Sequence, residues 1–171
     1  MSSSAPGSEP AELLSPAEAG RLLTSPTADL DLGVLRSVPV LVVDDANRLA
    51  REAAAVLADL PLVSVGIAPA GTAPAFDVLV NDVDAVTSVV DGVAANPMAA
   101  VTCCQVLRSG PAPVTPDGIR TGLLLESTAY GTLQAGPEFA RWLAGRGRRV
   151  RPEEPDPPVL VDASGDEVHL I

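Results

Sequence analysis

The chain has 171 residues, which is enough for one domain with a substantial core, and 47% of them are apolar but only 2% aromatic, so that core must be aliphatic. The formal net charge of −11 disfavours nucleic acid and anionic membrane surfaces as partners. All 11 basic residues are arginine, which excludes mechanisms that need a lysine amine. The sequence shows neither a secretory signal nor a membrane-spanning run, so we expect a cytoplasmic protein.

The first helix is predicted after a polar N-terminus. Residues 1–14 are rich in small and polar residues and are predicted to be disordered. Ser15 followed by Pro16 is typical of a helix start, and Glu18 stands where a capping box requires an acid. Pro26 indicates that this helix is short.

Three apolar runs predict the strands of a sheet: Val38–Val43, Leu62–Ile67 and Phe76–Val80. Between the first two, apolar residues of Ala46–Leu60 recur at helical spacing. The alternation predicts an α/β fold with a small, mainly parallel sheet covered by helices.

Helices dominate the following segment. Valines from Val83 to Val93 recur at intervals of three and four residues, and Asn96-Pro97 breaks the pattern. Further helices are predicted over Met98–Leu107, Asp117–Gln134 and Pro137–Gly145.

The last 21 residues are predicted to be a linker and a hairpin. Residues 151–158 form a stiff acidic linker, and residues 159–171 suggest two strands around Ser164-Gly165-Asp166. Because an isolated hairpin is marginal in water, we expect this segment to be poorly ordered or paired with another chain.

Two stretches resemble the crotonase (enoyl-CoA hydratase/isomerase) family. Within residues 83–146, the segments VDGVAANPMAAVTCCQVLR and LLLESTAYGTLQAGPEFARWLAGR look like the C-terminal helices of crotonases. PPVLVDASGDEVHLI, residues 157–171, is similar to the paired strands that open a crotonase domain. Residues 59–82 match more weakly. The resemblance implies a degenerate crotonase-like domain over residues 15–150 and the start of a second one at 159–171, as in the N-terminal part of a longer protein; alternatively, the hairpin packs on its own core.

The departures from the family decide the expected activity. The glycine-rich oxyanion loop is reduced to Gly66 and Gly71, and the segment that carries the family's glutamates is missing after Asp82. No catalytic residue is therefore carried over. The resemblance implies a module of acyl-CoA metabolism that is non-catalytic alone and packs against a catalytic crotonase domain or another partner, or self-associates. The alternative is a CoA-thioester hydratase or isomerase completed by another chain.

Two weak candidate sites remain. Glu126 lies beside three leucines, an apolar setting in which a carboxylate acts as an acid or base; an ordinary solvent-facing position is the favoured interpretation. Arg146, Arg148 and Arg149 have the charge to bind CoA phosphates, although placement at a helix C-terminus explains them more simply.

The remaining reactive residues point to no cofactor or metal. Cys103 and Cys104 are predicted to be small core residues of a helix, and His169, the single histidine, has no zinc-binding pattern around it. A receiver-like signalling module is a second alternative, with Asp44-Asp45 as the acidic pair and Asp82 as phosphoacceptor. That family needs a late lysine, which this chain lacks.

Overall fold

The computed structural model describes residues 12–32, 38–109 and 115–147, except for the side chain of residue 29, and the backbone of residues 161–164 and 167–170. The chain divides into two compact units, Met1–Ala140 and Arg141–Ile171, and each is described separately. The predicted linker, residues 151–158, and residues 1–11 of the N-terminus predicted to be disordered lie outside the described residues.

A four-stranded parallel sheet forms the centre of the first unit. Its strands lie side by side in chain order: β1 (Leu13–Leu14), β2 (Val40–Val43), β3 (Val63–Ile67) and β4 (Val78–Val80). The predicted α/β fold with a small parallel sheet is confirmed.

Seven helices accompany the strands in the described part of the chain: α1 (Pro16–Leu23), α2 (Ala28–Leu32), α3 (Arg51–Val56), α4 (Val83–Ala95), α5 (Pro97–Arg108), α6 (Pro116–Gln134) and α7 (Pro137–Gly145). The predicted start of α1 is confirmed. The Glu18 backbone N–H donates to Ser15 Oγ at 3.4 Å, and the Ser15 backbone N–H donates to Glu18 Oε2 at 2.9 Å. This exchange satisfies otherwise unpaired groups at the helix end.

Two local predictions were wrong, and one short helix was missed. The expected helix over Ala46–Leu60 is a 3₁₀ turn, Ala46–Arg48, followed by the shorter α3, because Leu49 and Ala50 are extended and interrupt it. The residues expected to be disordered include β1, since Leu13–Leu14 pairs with Val42 and Val43. The short helix α2 was not predicted.

The two faces of the sheet carry separate apolar clusters, which makes the first unit a three-layer structure. Leu41 and Val43 of β2 face a cluster that includes side chains from α1, α2 and α3. Val40 and Val42 face the other cluster, with side chains from α4 and α5. This alternation explains why the whole of β2 is buried.

Each strand lies on the same side of the strand that precedes it in the chain, so the sheet order equals the chain order. Residues of the β1–β2, β2–β3 and β3–β4 connections all contribute to the cluster on the same face. Ligand crevices in open parallel sheets form where the strand order reverses. The four strands that the structure describes contain no such reversal.

The chain reaches the opposite face at α4. Asp82 caps α4, with Oδ1 accepting from the Ala85 N–H at 3.0 Å, and the predicted break at Asn96-Pro97 starts α5. In the described part of the chain no single helix is long and apolar enough to cross a membrane. Helices α4 and α5 reach that length and apolar character only when taken together, and they meet at a bend of 107°.

The second unit contains the predicted hairpin. Strands β5 (Val161–Ser164) and β6 (Glu167–Leu170) are antiparallel. The register pairs Val161 with Leu170, Asp162 with His169, Ala163 with Val168, and Ser164 with Glu167.

Gly66 permits a close approach between β3 and the turn after β2. A Cβ atom at this position would lie 2.6 Å from the Ala46 Cβ, 3.0 Å from Leu79 Cδ2 and 3.1 Å from Phe76 Cγ. Gly66 also lies inside the sheet, between Val43 and Leu79 in the register. It is a packing residue rather than part of an open ligand-binding loop.

Gly66→Ala is therefore expected to lower the free energy of unfolding by about 1–3 kcal/mol, because the added methyl group overpacks the core. Gly20→Ala in α1 is the matched control, since nothing lies within 4 Å of the position that its added methyl group would take; we expect it to raise stability by roughly 0.5–1 kcal/mol. Urea unfolding of the three proteins measures both changes. Equal effects of the two substitutions would contradict this packing role.

Candidate functional site

Polar residues follow three of the four strands at the carboxyl edge of the sheet, where parallel sheets usually bind ligands. Ser15 follows β1, Asp44 and Asp45 follow β2, and Asp82 follows β4. Ser15 and Asp82 serve as helix caps, as described above. Two of these side chains therefore have structural partners already.

A cleft of about 390 Å³ opens at this edge, between the start of α1 and the turn after β2. It is lined by Ser15, Pro16, Ala17, Asp45, Arg48 and Ala50. Asp45 and Arg48 are well exposed and form a long ion pair of 3.9 Å. Exposed pairs of this kind contribute little energy, so the cleft offers no desolvated group for chemistry.

The acidic residues that a receiver-like site requires are not neighbours. Asp44 and Asp45 follow β2, whereas Asp82 follows β4, and β3 lies between the two strands. Among the fully described side chains, no group of three or more histidine, cysteine or acidic residues is arranged to hold a metal ion.

The two weak candidates for acyl-CoA chemistry lie on exposed helical surface. Glu126 is exposed on α6. Arg146 is exposed beyond α7, and its guanidinium lies over the Trp142 ring at 4.4 Å from the centroid. Arg148 and Arg149 lie outside the described residues.

The adjacent cysteines have different environments. Cys104 is buried, as predicted, but Cys103 is exposed, so the prediction of two core cysteines holds for only one of them. Burial, together with the nearby Asp77 carboxylate, raises the pKa of the Cys104 thiol to about 11, against the opposing charge of Arg108. The Cys104 thiol is therefore protonated at neutral pH and is a poor nucleophile.

The strongest polar arrangement lies at the opposite, amino-terminal edge of the sheet. Arg108, at the end of α5, donates from Nε to Asp77 Oδ1 at 2.8 Å, and its Nη2 donates to Asp77 Oδ2. Its Nη1 donates to the Leu60 carbonyl at 2.7 Å, and Nη2 also donates to the Leu62 carbonyl at 2.8 Å. The side chains of Arg108 and Asp77 are only 11% and 10% exposed.

Ser64 of β3 completes this network. Its backbone N–H and hydroxyl each donate to Asp77 Oδ2 at 2.8 Å, and the Asp77 N–H donates to Ser64 Oγ at 3.0 Å. Burial raises the pKa of Asp77, but the hydrogen bonds from Arg108 and Ser64 and the Arg108 charge together outweigh it and lower that pKa. The polar atoms satisfy one another, which is typical of a structural ion pair.

A second charged contact holds the other end of α5. Glu138 of α7 accepts from the Met98 N–H at 2.8 Å and from the Ala99 N–H at 3.0 Å. Pro97 has no N–H, and the Asn96 side chain makes no capping hydrogen bond, so Glu138 supplies the cap.

Helix α6 exposes several large apolar side chains. Ile119, Leu123 and Tyr130 are spaced by four and seven residues, which places them on one face of the helix. They are 53%, 61% and 64% exposed, and Leu124 beside them is 67% exposed. Of the 19 residues in α6, Gly118 is the buried one. We call Ile119, Leu123 and Tyr130 the α6 apolar row; Leu124 stands about 100° further round the helix from Leu123.

Comparison with known proteins assigns the chain to no group: no family model, curated protein or solved structure matches it. The candidate site is therefore defined by geometry alone. It consists of the α6 apolar row, carried on a helix that packs against α5, which is itself fastened by Arg108 and Glu138.

Arg108→Met is expected to lower the free energy of unfolding at neutral pH by about 3 kcal/mol, because it leaves the Asp77 carboxylate buried without its cation. Arg48→Met is the matched control and should change stability by less than about 1 kcal/mol, since its ion pair is exposed. Urea unfolding of the three proteins tests the difference.

The loss of stability caused by Arg108→Met should become smaller as the pH falls. The lowered pKa of Asp77 stabilises the wild type above the ordinary aspartate range, and this contribution is lost as pH falls through the folded-state pKa. The difference between wild type and Arg108→Met should therefore narrow below about pH 4. A gap that stays constant or widens on acidification would contradict the assignment.

Proposed function

We propose that this chain is a non-catalytic module of the enoyl-CoA hydratase/isomerase kind that docks on a catalytic crotonase domain through the α6 apolar row. The observation that carries the proposal is the exposure of this row on a well-formed helix. Exposed apolar side chains that share one helix face are typical of protein interaction sites. By the same spacing the exposed Glu126 stands on this face between Leu123 and Tyr130, so the docking surface includes one carboxylate.

The row has the composition of a binding surface. Tyr130 is a large side chain that combines an apolar ring with a polar hydroxyl, a property that favours interfaces. Leu123 and Ile119 add aliphatic area on the same face, and an amphipathic helix commonly binds by laying such a face against a partner.

The type of partner is taken from the sequence resemblance. Residues 83–146 resemble the C-terminal helices of crotonases, and these residues include α6. A helix of this kind that lies exposed in a single chain suits packing against a complementary crotonase domain. The acidic character of the chain, at −11, disfavours nucleic acid as the alternative occupant.

The module is expected to be non-catalytic because the residues left for the family's chemistry are not arranged as an oxyanion loop with a placed carboxylate. Gly66 packs in the sheet, the Arg108–Asp77 pair is satisfied internally, and Glu126 is exposed on α6. Oxyanion stabilisation and a placed carboxylate are both needed for enoyl-CoA hydration.

Docking is tested with the enoyl-CoA hydratase/isomerase domains encoded in the same genome, each purified and titrated against the immobilised chain. We expect one of them to bind, and Leu123→Arg to weaken that binding by at least about tenfold, because a charge replaces a buried contact. Thr121→Arg adds the same charge at an exposed position on another face of α6 and should leave affinity nearly unchanged. Failure of every domain to bind, or equal weakening by the two substitutions, would refute the proposal.

Catalysis is tested by crotonyl-CoA hydration with the purified chain, buffer and the Glu126→Gln variant. We expect no turnover above buffer. Loss of an oxyanion donor typically costs a factor of about 100 to 1,000, and loss of the general base costs about 100 to 10,000 more. Turnover that disappears in Glu126→Gln would contradict the proposal and make Glu126 the acid or base.

A further inference from the structure

The β5–β6 hairpin is a sheet of two strands. In the described parts of the chain no third strand pairs with β5 or β6. Two isolated strands are marginal in water, and a free edge presents unpaired backbone N–H and C=O groups to any suitable strand. The hairpin is therefore a place where another strand can add.

In the hairpin, apolar residues of β5 pair with apolar residues of β6, and polar residues pair with polar ones. Val161 stands opposite Leu170 and Ala163 opposite Val168, whereas the intervening pairs are Asp162 with His169 and Ser164 with Glu167. Because successive positions alternate between the faces of a sheet, one face holds the apolar positions and the other the polar ones. A strand that adds to the edge must keep this separation.

We propose that the strand which adds to β6 is β6 of a second copy of this chain, antiparallel and related by a two-fold axis through Val168. This register places Val168 opposite Val168 of the second copy. It also places Glu167 opposite His169, and by symmetry the acid–base pair occurs twice. Cross-strand pairs of opposite charge and of matched apolar residues stabilise a sheet.

Other self-pairings fit less well. An antiparallel register centred between two residues places apolar positions opposite polar ones, and a register centred on His169 places the two histidines opposite each other. Pairing through β5 about Asp162 would oppose two aspartates. Because the chain carries a net charge of −11, self-association needs local complementarity, and β6 holds its single histidine.

The interface is independent of the proposed docking function, since it uses β6 and not α6. It produces a four-stranded sheet with two copies of the hairpin side by side. Closed two-fold association of this kind is the commonest arrangement among homo-oligomers.

Disulfide trapping tests the register in the full chain. In a Cys103→Ser background, which removes the exposed native thiol, Val168→Cys should form a disulfide-linked dimer under mild oxidation. Directly opposed residues in antiparallel strands have Cα atoms about 4.5–5.5 Å apart, which is within disulfide range. Val161→Cys in the same background is the matched control and should not cross-link, because β5 lies on the far side of each hairpin. Equal cross-linking of the two variants, or none with Val168→Cys, would overturn the proposal.

Exchanging the acidic and basic residues at positions 167 and 169 tests the β6–β6 pairing without a disulfide. Sedimentation should show a dimer for the wild type, and Glu167→Arg or His169→Glu alone should weaken it by about tenfold, since each removes the acid–base pair in both places and His169→Glu also opposes two carboxylates. The two substitutions together should restore dimerisation to within about threefold of wild type, because they recreate both pairs in reverse. A monomeric wild type, or a combined variant as weak as the single ones, would refute the interface.

Discussion

The buried ion pair between Arg108 and Asp77 fixes how the outer helical layer meets the sheet. Arg108 lies at the end of α5, while its partners Leu60, Leu62 and Asp77 lie just before β3 and β4. Ser64 of β3 holds Asp77 in turn. The planar guanidinium donates in a fixed fork, so it specifies position as well as adding energy. Valine and alanine side chains of α4 and α5 pack against the sheet in a less directional way.

The exposure of α6 follows from this arrangement. Helices α4 and α5 already cover the second face of the sheet, so α6 contacts α5 and does not reach the strand cluster on that face. A helix that packs on another helix instead of on the sheet buries only a narrow face, which here includes Gly118. The remaining apolar residues are left for a partner, and this is the physical basis of the proposed docking function.

The sequence predicted the features that depend on local patterns. The apolar run of β2, the capping box of Ser15 and Glu18, and the break at Asn96-Pro97 each require only neighbouring residues. The Arg108–Asp77 pair spans 31 residues and the Glu138 cap spans 40, and neither has a short motif. The extended residues Leu49 and Ala50 interrupt a run of good helix formers, so tertiary packing overrode propensity there. The role of Gly66 depends on Ala46, Phe76 and Leu79 and was not predictable from its position within an apolar run.

Native-state hydrogen exchange of the wild type and the Arg108→Met variant tests most directly whether this one pair fastens the outer layer. If it does, amides of α5 and α6 should lose protection in the variant, while those of α1 and β2 keep theirs until global unfolding. A uniform loss of protection across the first unit, or none in α5 and α6, would contradict the account.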